Sequence, residues 1–256
     1  MRSGFSRSGQ ILLIGAGPGD VELLTLKAVR ALGRADVVLL DDLVNPAVLQ
    51  FARSDARVIR VGKRGGCRST PQDFIERLML RYARAGRTVA RVKGGDPFVF
   101  GRGAEELQRA REAGIPCEVI SGITAGIAAP AALGIPVTHR GLCEGVTFLT
   151  GHTQDGRAPD WPALVGGGTT LVIYMGMANL AHIVRSLIDA GMSPDMQAAV
   201  VQNATSAKQR QVVCTLGELE MAVAAAGLRS PAIVVIGEVV RLAASSASRS
   251  SWVEAA

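Results

Sequence analysis

The chain has 256 residues, 48% of them apolar and 4% aromatic, enough for one large domain or two of about 100–150 residues with a core that needs no covalent staples. Net charge is +6 and uneven: residues 1–142 carry 21 Lys/Arg against 13 Asp/Glu, and residues 143–256 carry 7 against 9. Ten aromatics and no long Lys/Arg run leave few stacking platforms for nucleic acid, so the basic half suits a compact polycarboxylate or phosphate at least as well.

The first element is Gln10 to Gly15, a short apolar run that reads as a buried strand of a parallel sheet. Gly15-Ala-Gly-Pro-Gly-Asp20 follows, then a helical pattern from Glu22 to Leu32. The loop falls short of a dinucleotide fingerprint, because Asp20 stands where the third glycine belongs. Pro18 also removes an N–H that a pyrophosphate would use. Asp20 suits a helix cap instead. A second strand, Ala35 to Leu40, runs into Asp41 and Asp42, the crevice position of an open α/β sheet. Asp42 reads as a cap ahead of Pro46. Arg57 to Val61 is a third strand, leading to Lys63 in the Gly-rich loop Gly62 to Cys67.

Pro71 to Ala85 is a helix with Thr70 as its cap and Phe74, Leu78 and Tyr82 on one face. Arg77, Arg81, Arg84 and Arg87 form a solvated face. The strand Thr88 to Val92 opens the segment Arg91 to Glu106, where four glycines, a proline and Asp96 precede a charged helix from Ala104 to Ala113. Such a link brings backbone close to a ligand. Cys117 to Ile120 is a strand, and Ser121 to Gly126 begins an Ala-rich helix reaching Leu133. Those small residues admit a ligand or another backbone.

The basic character stops between Gly141 and Gly145, which sets expected domains at 10–142 and 143–242 after a disordered N-terminus (1–9) and before a flexible tail (243–256). Further strands are expected at Val146 to Thr150, Thr169 to Tyr174, Ala198 to Gln202, Gln211 to Thr215 and Ala232 to Ile236. Helices are expected at Met177 to Ala190 and Leu216 to Ala226, with a short one near Trp161. Four scattered cysteines (Cys67, Cys117, Cys143, Cys214) and three scattered histidines (His139, His152, His182) argue against zinc, any other metal centre, or a disulfide framework. No apolar run reaches the roughly 18–20 residues of a bilayer span, and no signal-peptide core is present, so a soluble cytoplasmic protein is expected.

Several of these stretches together resemble the tetrapyrrole methylases. They are Gly15 to Asp20, Ala35 to Asp41, Val61 to Arg64, Val92 to Gly103, Gly122-Ile-Thr124, Gly134 to Arg140, Tyr174-Met-Gly176 and Thr205 to Arg210. The Phe-Gly-Arg-Gly and Thr-His-Arg pieces resemble the branch that acts on uroporphyrinogen III. The resemblance implies an α/β fold of two α/β domains, with S-adenosylmethionine in the cleft between them, in a homodimer. It implies C-methylation of uroporphyrinogen III at two ring carbons, by way of precorrin-1 to precorrin-2, with S-adenosylhomocysteine as the second product. Alternatives are a methylase of a later corrin precursor and an RNA 2′-O-methyltransferase of related fold. Neither nucleic acid nor membrane is an expected partner.

Carried over by position, the cofactor residues are Pro18, Gly94, Gly95, Asp96, Val99, Thr124, Ala125, Met175 and Ala204. Asp96 and main-chain carbonyls would hold the methionine amine and ribose, and Val99 and Met175 would form an apolar slot for adenine. Asp41 is the expected proton acceptor and Lys63 a proton donor. Arg102, Glu105 and Arg140 are the expected substrate-binding residues, the two arginines clamping substrate carboxylates, although Arg102 also lies within reach of an ion pair to Glu105 or Glu106. His139 is read as a packing or hydrogen-bonding residue. The chain departs from the family at Ser121, at Ala125-Gly126 and at Leu40, each a wall or loop position.

Overall fold

The computed structural model describes residues 9–62, 70–152 and 158–243. Apart from Gly9 and Ala243 at their margins, the expected N-terminal segment and tail lie outside the described residues, as does the loop carrying Lys63. The chain divides into two compact units, Met1–Ala125 and Gly126–Ala256. Residues 126–142, expected in the first domain, group with the second unit.

The first unit is built on five parallel strands, β1 (Gln10–Gly15), β2 (Val37–Leu40), β3 (Arg57–Arg60), β4 (Thr88–Lys93) and β5 (Cys117–Ile120), in the order β3-β2-β4-β1-β5. Alternate residues serve opposite faces, as strand geometry requires. Leu12, Ile14, Val38, Leu40, Ala90 and Val92 pack on α1 (Leu26–Leu32) and on a 3-10 turn at Pro46–Phe51. Ile11, Leu13, Val37, Leu39 and Val89 pack on α2 (Gln72–Arg84) and α3 (Gly103–Glu112). A fully buried branched side chain contributes roughly 1.5–3 kcal/mol. These two faces therefore hold the unit, since a seven-residue α1 is far too short to be stable alone.

The helices deviate from the sequence pattern in instructive ways. The expected run from Glu22 breaks into a 3-10 turn at Val21–Leu23, capped by Asp20 through Glu22 N–H, and α1, capped by Thr25 through Ala28 N–H. Thr70 does not cap α2; its hydroxyl donates to the Gly62 carbonyl instead. Ile75, Glu76, Met79, Leu80 and Ala83 of α2 are buried, Leu78 and Tyr82 pack partly against that core, and Phe74 is exposed. Asn45, not Asp42, caps the Pro46 turn. Arg77, Arg81, Arg84 and Arg87 are all exposed as expected.

In the second unit α4 (Ala125–Ala131) precedes β6 (Val146–Thr150), α5 (Trp161–Gly166), β7 (Thr170–Tyr174), α6 (Leu180–Asp189), β8 (Gln197–Gln202), β9 (Arg210–Thr215), α7 (Leu219–Ala225) and β10 (Ala232–Ile236). The strand order is β6-β7-β10-β8-β9, with β6 and β7 parallel to each other and every other neighbouring pair antiparallel. Seven residues join β8 to β9, enough for a hairpin and too few for a parallel crossover. One face, with Leu171, Ile173, Val200, Val234 and Ile236, packs on α5, α6 and α7. No helix among the described residues is long and apolar enough to cross a membrane.

Candidate active site

A parallel sheet delivers all its carboxyl ends to one edge, so in the first unit the loops after β1, β2, β4 and β5 meet there. Gly17 and Gly95 exchange two backbone hydrogen bonds, at 3.2 and 2.7 Å. A Cβ at Gly15 would lie 2.5 Å from Gly122 N, and one at Gly122 would lie 2.3 Å from Gly95 O. Three loops therefore touch main chain to main chain, and only glycine fits. Gly95 itself has φ +66° and lies beside Thr124 and Ala125. Asp96 ties the same loops together, its Oδ1 accepting from Phe98 N–H (2.8 Å) and its Oδ2 from Gly122 N–H (3.1 Å). Gly94, Gly95, Asp96, Val99 and Ala125 are half-buried, Thr124 is buried, and Leu43 stands over Gly94. Pro18 is half-buried in the first loop.

This edge suits a ligand that brings an ammonium group or another hydrogen-bond donor to Asp96. Asp96 supplies a carboxylate whose oxygens each keep a free lone pair, and the glycines leave main chain unshielded beside it.

Asp41 follows β2 on the same edge with its side chain 31% exposed. Its Oδ1 accepts from Asp42 N–H at 3.0 Å and its Oδ2 from Arg91 Nη2 at 3.0 Å. Arg91 is 2% exposed and turns its Nε to Glu106 Oε1 at 2.9 Å. Glu106 is fully buried, takes Gln72 Nε2 on the same oxygen at 3.1 Å, and has the Lys93 ammonium 3.0 Å from Oε2, an ion pair without hydrogen-bond geometry. Burial, reinforced by Arg91, pushes the Lys93 ammonium below the ordinary lysine range, and Glu106 partly restores it. Sequence reasoning missed Arg91, Lys93 and Glu106. The signal was present: Arg91 and Lys93 are two apart on a central strand, so both turn to the α2/α3 face, where a buried carboxylate has to answer them.

Arg102 begins α3 with φ +58° and is half-exposed. Its Nε and Nη2 fork onto Glu105, the shortest contact being 2.6 Å, so of the two glutamates within reach Glu105 is the partner and Glu106 is not. That hydrogen bond holds the Glu105 carboxyl below the usual range.

In the second unit β7 and β8 both run antiparallel to β10, so their carboxyl ends share an edge, where Tyr174 and Gln202 pair with the adjacent residues Ile233 and Ala232. Met175 lies there, half-exposed with φ +54°, as does buried Ala204 between Asn203 (φ +49°) and Thr205 (φ +62°). Arg140 is exposed on the turn His139–Cys143, which two backbone hydrogen bonds of 2.8 and 2.9 Å close. The His139 side chain is exposed; its part in the turn is through the backbone. Lys63 lies outside the described residues.

The family model of Tetrapyrrole (Corrin/Porphyrin) Methylases matches residues 10–220. The chain is 58% identical over 234 residues to uroporphyrinogen-III C-methyltransferase of Pseudomonas aeruginosa, covering 91% of this chain and 95% of that relative. It is 51% identical to siroheme synthase of Tolumonas auensis over 92% of its own length, and spans about half (50%) of that longer protein. Among solved structures it is similar to uroporphyrin-III C-methyl transferase from Thermus thermophilus complexed with S-adenyl homocysteine, with TM-score 0.78, 42% identity, and coverage of 91% of this chain and 100% of that one.

Proposed function

The chain belongs to the tetrapyrrole (corrin/porphyrin) methylases, and we propose that it is an S-adenosylmethionine-dependent enzyme that methylates two ring carbons of uroporphyrinogen III. The product of the two transfers is precorrin-2, reached through precorrin-1, which serves sirohaem- and cobalamin-type tetrapyrroles. The observation that carries this is the 58% identity along nearly the full length of both chains.

The bound donor supplies an electrophilic methyl group on a sulfonium. For this chain the residues proposed to hold it are Pro18, Gly94, Gly95, Asp96, Val99, Thr124 and Ala125 in the first unit and Met175 and Ala204 in the second. The glycines do two things in this reading. They let the loops pack on each other, and they leave carbonyls bare of side chains toward the ligand. Asp96 positions the loop after β4 through Phe98 and Gly122 and keeps lone pairs for the donor's amine or ribose.

Methylation of a pyrrole carbon by the bound donor would leave the substrate ring cationic and the donor a neutral thioether. Much of the rate then comes from alignment. The ring regains neutrality by losing a bridge proton, and the half-exposed carboxylate of Asp41 is the proposed acceptor. Lys63 is the proposed donor of a proton. Arg102 and Arg140 are proposed to grip substrate carboxylates, with Glu105 occupying the Arg102 fork until a substrate carboxylate takes its place. The same reading includes a homodimer in the cytoplasm, tested by light scattering and by fractionation of cells expressing the chain.

The deciding experiment is mass spectrometry of product formed by purified protein from uroporphyrinogen III and isotopically labelled methyl donor. Two labelled methyl groups per macrocycle are expected. Turnover only on an already methylated corrin precursor, or none on any tetrapyrrole, would overturn the assignment.

A further inference from the structure

The buried charges behind Asp41 have no part in the reaction as set out above, and their arrangement calls for one. A salt bridge this deep is weak evidence of stability, because replacing one by apolar residues of similar volume is often neutral or stabilising. Arg91 spans two carboxylates with separate nitrogens, Nε on Glu106 at 2.9 Å and Nη2 on Asp41 at 3.0 Å. A planar guanidinium can do this and an ammonium cannot. Glu106 is in turn fixed from three directions, by Arg91 and Lys93 on β4 and by Gln72 at the start of α2. The charged side chains of Arg91, Lys93 and Glu106 are shielded, and the Asp41 carboxylate at the sheet edge is the most exposed member of these ion pairs.

We propose that Arg91, anchored by Glu106, is a positioning residue for the reaction: it fixes the Asp41 carboxylate so that its free lone pairs face the substrate. The inference rests on the reading of Asp41 as proton acceptor. With Asp42 N–H on Oδ1 and Arg91 on Oδ2, the carboxylate cannot turn about its own bond without breaking one contact or the other. Lys93, 3.0 Å from the other oxygen of Glu106, supplies the second cation, so that two carboxylates face two cations.

The test is a double-mutant cycle between Arg91→Lys and Asp41→Asn, read by single-turnover methyl transfer, by KM for both substrates, and by calorimetry with S-adenosylhomocysteine. Arg91→Lys is expected to lower kcat roughly a hundredfold, the usual cost of displacing a reacting group by about an ångström. KM for the donor and affinity for S-adenosylhomocysteine should stay within about twofold of wild type. In the Asp41→Asn background the same change should cost nothing more, because the group it positions is gone. A purely structural role would give equal losses in both backgrounds, and that result overturns the proposal while leaving Asp41 in place. An Asp41→Asn enzyme with wild-type kcat removes Asp41 from the chemistry and the positioning role with it. Where Arg91→Lys fails to fold, Glu106→Gln, which keeps the side-chain shape, goes through the same cycle with the same two outcomes.

Discussion

At the carboxyl edge of the first sheet, Gly15 and Gly122 lie too close to neighbouring main chain for any Cβ, Gly95 has φ +66°, and buried ions lie behind the loops. At the edge of the second sheet where β7 and β8 end, the sharp bends fall on Met175, Asn203 and Thr205, none of them glycine. The left-handed conformation costs an ordinary residue about 1–2 kcal/mol, and for β-branched Thr205 it is a clear outlier. The first edge gives up side chains to bring main chain together. Its loop after β4 bears the same conformational cost as the second edge, at Phe100 (φ +52°) and Arg102 (φ +58°), and the second differs in that its bends after β7 and β8 all retain a side chain. Among the described residues, every buried charged side chain (Glu76, Arg91, Lys93, Glu106) lies in the first unit. The two units thus differ in where they bury charge.

The sharpest way to break this contrast is at Glu106. Glu106→Ala strands Arg91 and Lys93 without their buried counter-ion and is expected to destabilise the protein by about 3–5 kcal/mol in chemical denaturation. A loss below 1 kcal/mol would mean that water reaches the cluster and that the first edge is no drier than the second. Next comes Gly122→Ala, whose methyl would fall 2.3 Å from Gly95 O. It should cost about 1–3 kcal/mol and weaken S-adenosylhomocysteine binding, because the loop carrying Gly94 to Asp96 must back away. Gly114→Ala is the control: nothing lies within 4 Å, so any cost there reflects its φ of +67° alone.

The converse change in the second unit is Thr205→Gly. Relief of the left-handed strain is partly offset by the greater freedom of glycine in the unfolded chain, so the net stabilisation should be no more than about 1 kcal/mol. Destabilisation would show that the Thr205 side chain, not the bend, is what the fold requires there.

The same division explains what could be read from the sequence. Buried parallel strands are continuous apolar runs, so β1, β2 and β4 stood out, and with them the loops at their ends and Asp41. The glycines of those loops were legible as sites of close approach. What they approach, each other, depends on three segments far apart in the chain. Arg91 was hidden between Ala90 and Val92 in a strand pattern, and its partner lies fifteen residues on. Glu105 and Glu106 are neighbours in sequence but point about 100° apart on a helix, so one meets solvent and Arg102 while the other turns into the core. Local spacing could not say which. Strand direction in the second sheet was equally invisible, because β10 inserts between β7 and β8 from the end of the chain.

The smallest effect sits on the exposed side of that helix, and it tests whether Arg102 belongs to the charge-handling edge at all. Glu105 holds the Arg102 fork in a half-exposed ion pair that solvent screens, worth about 0.2–1 kcal/mol. Because the folded state depresses the Glu105 carboxyl, through its hydrogen bond from Arg102, this stability is present above the ordinary glutamate range and is lost as pH falls through the depressed value. At neutral pH the pair is therefore intact, and a substrate carboxylate that takes the Nε/Nη2 fork has to displace Glu105. Glu105→Gln removes the competitor, so KM for uroporphyrinogen III should fall, by roughly two- to fivefold for a pair of that strength, with kcat unchanged. Arg102→Gln should raise KM instead. If Glu105→Gln leaves KM where it was while Arg102→Gln raises it, substrate meets Arg102 on a nitrogen that Glu105 does not use. If neither moves KM, Arg102 is only a helix-start ion pair, and the clamping of substrate falls to Arg140.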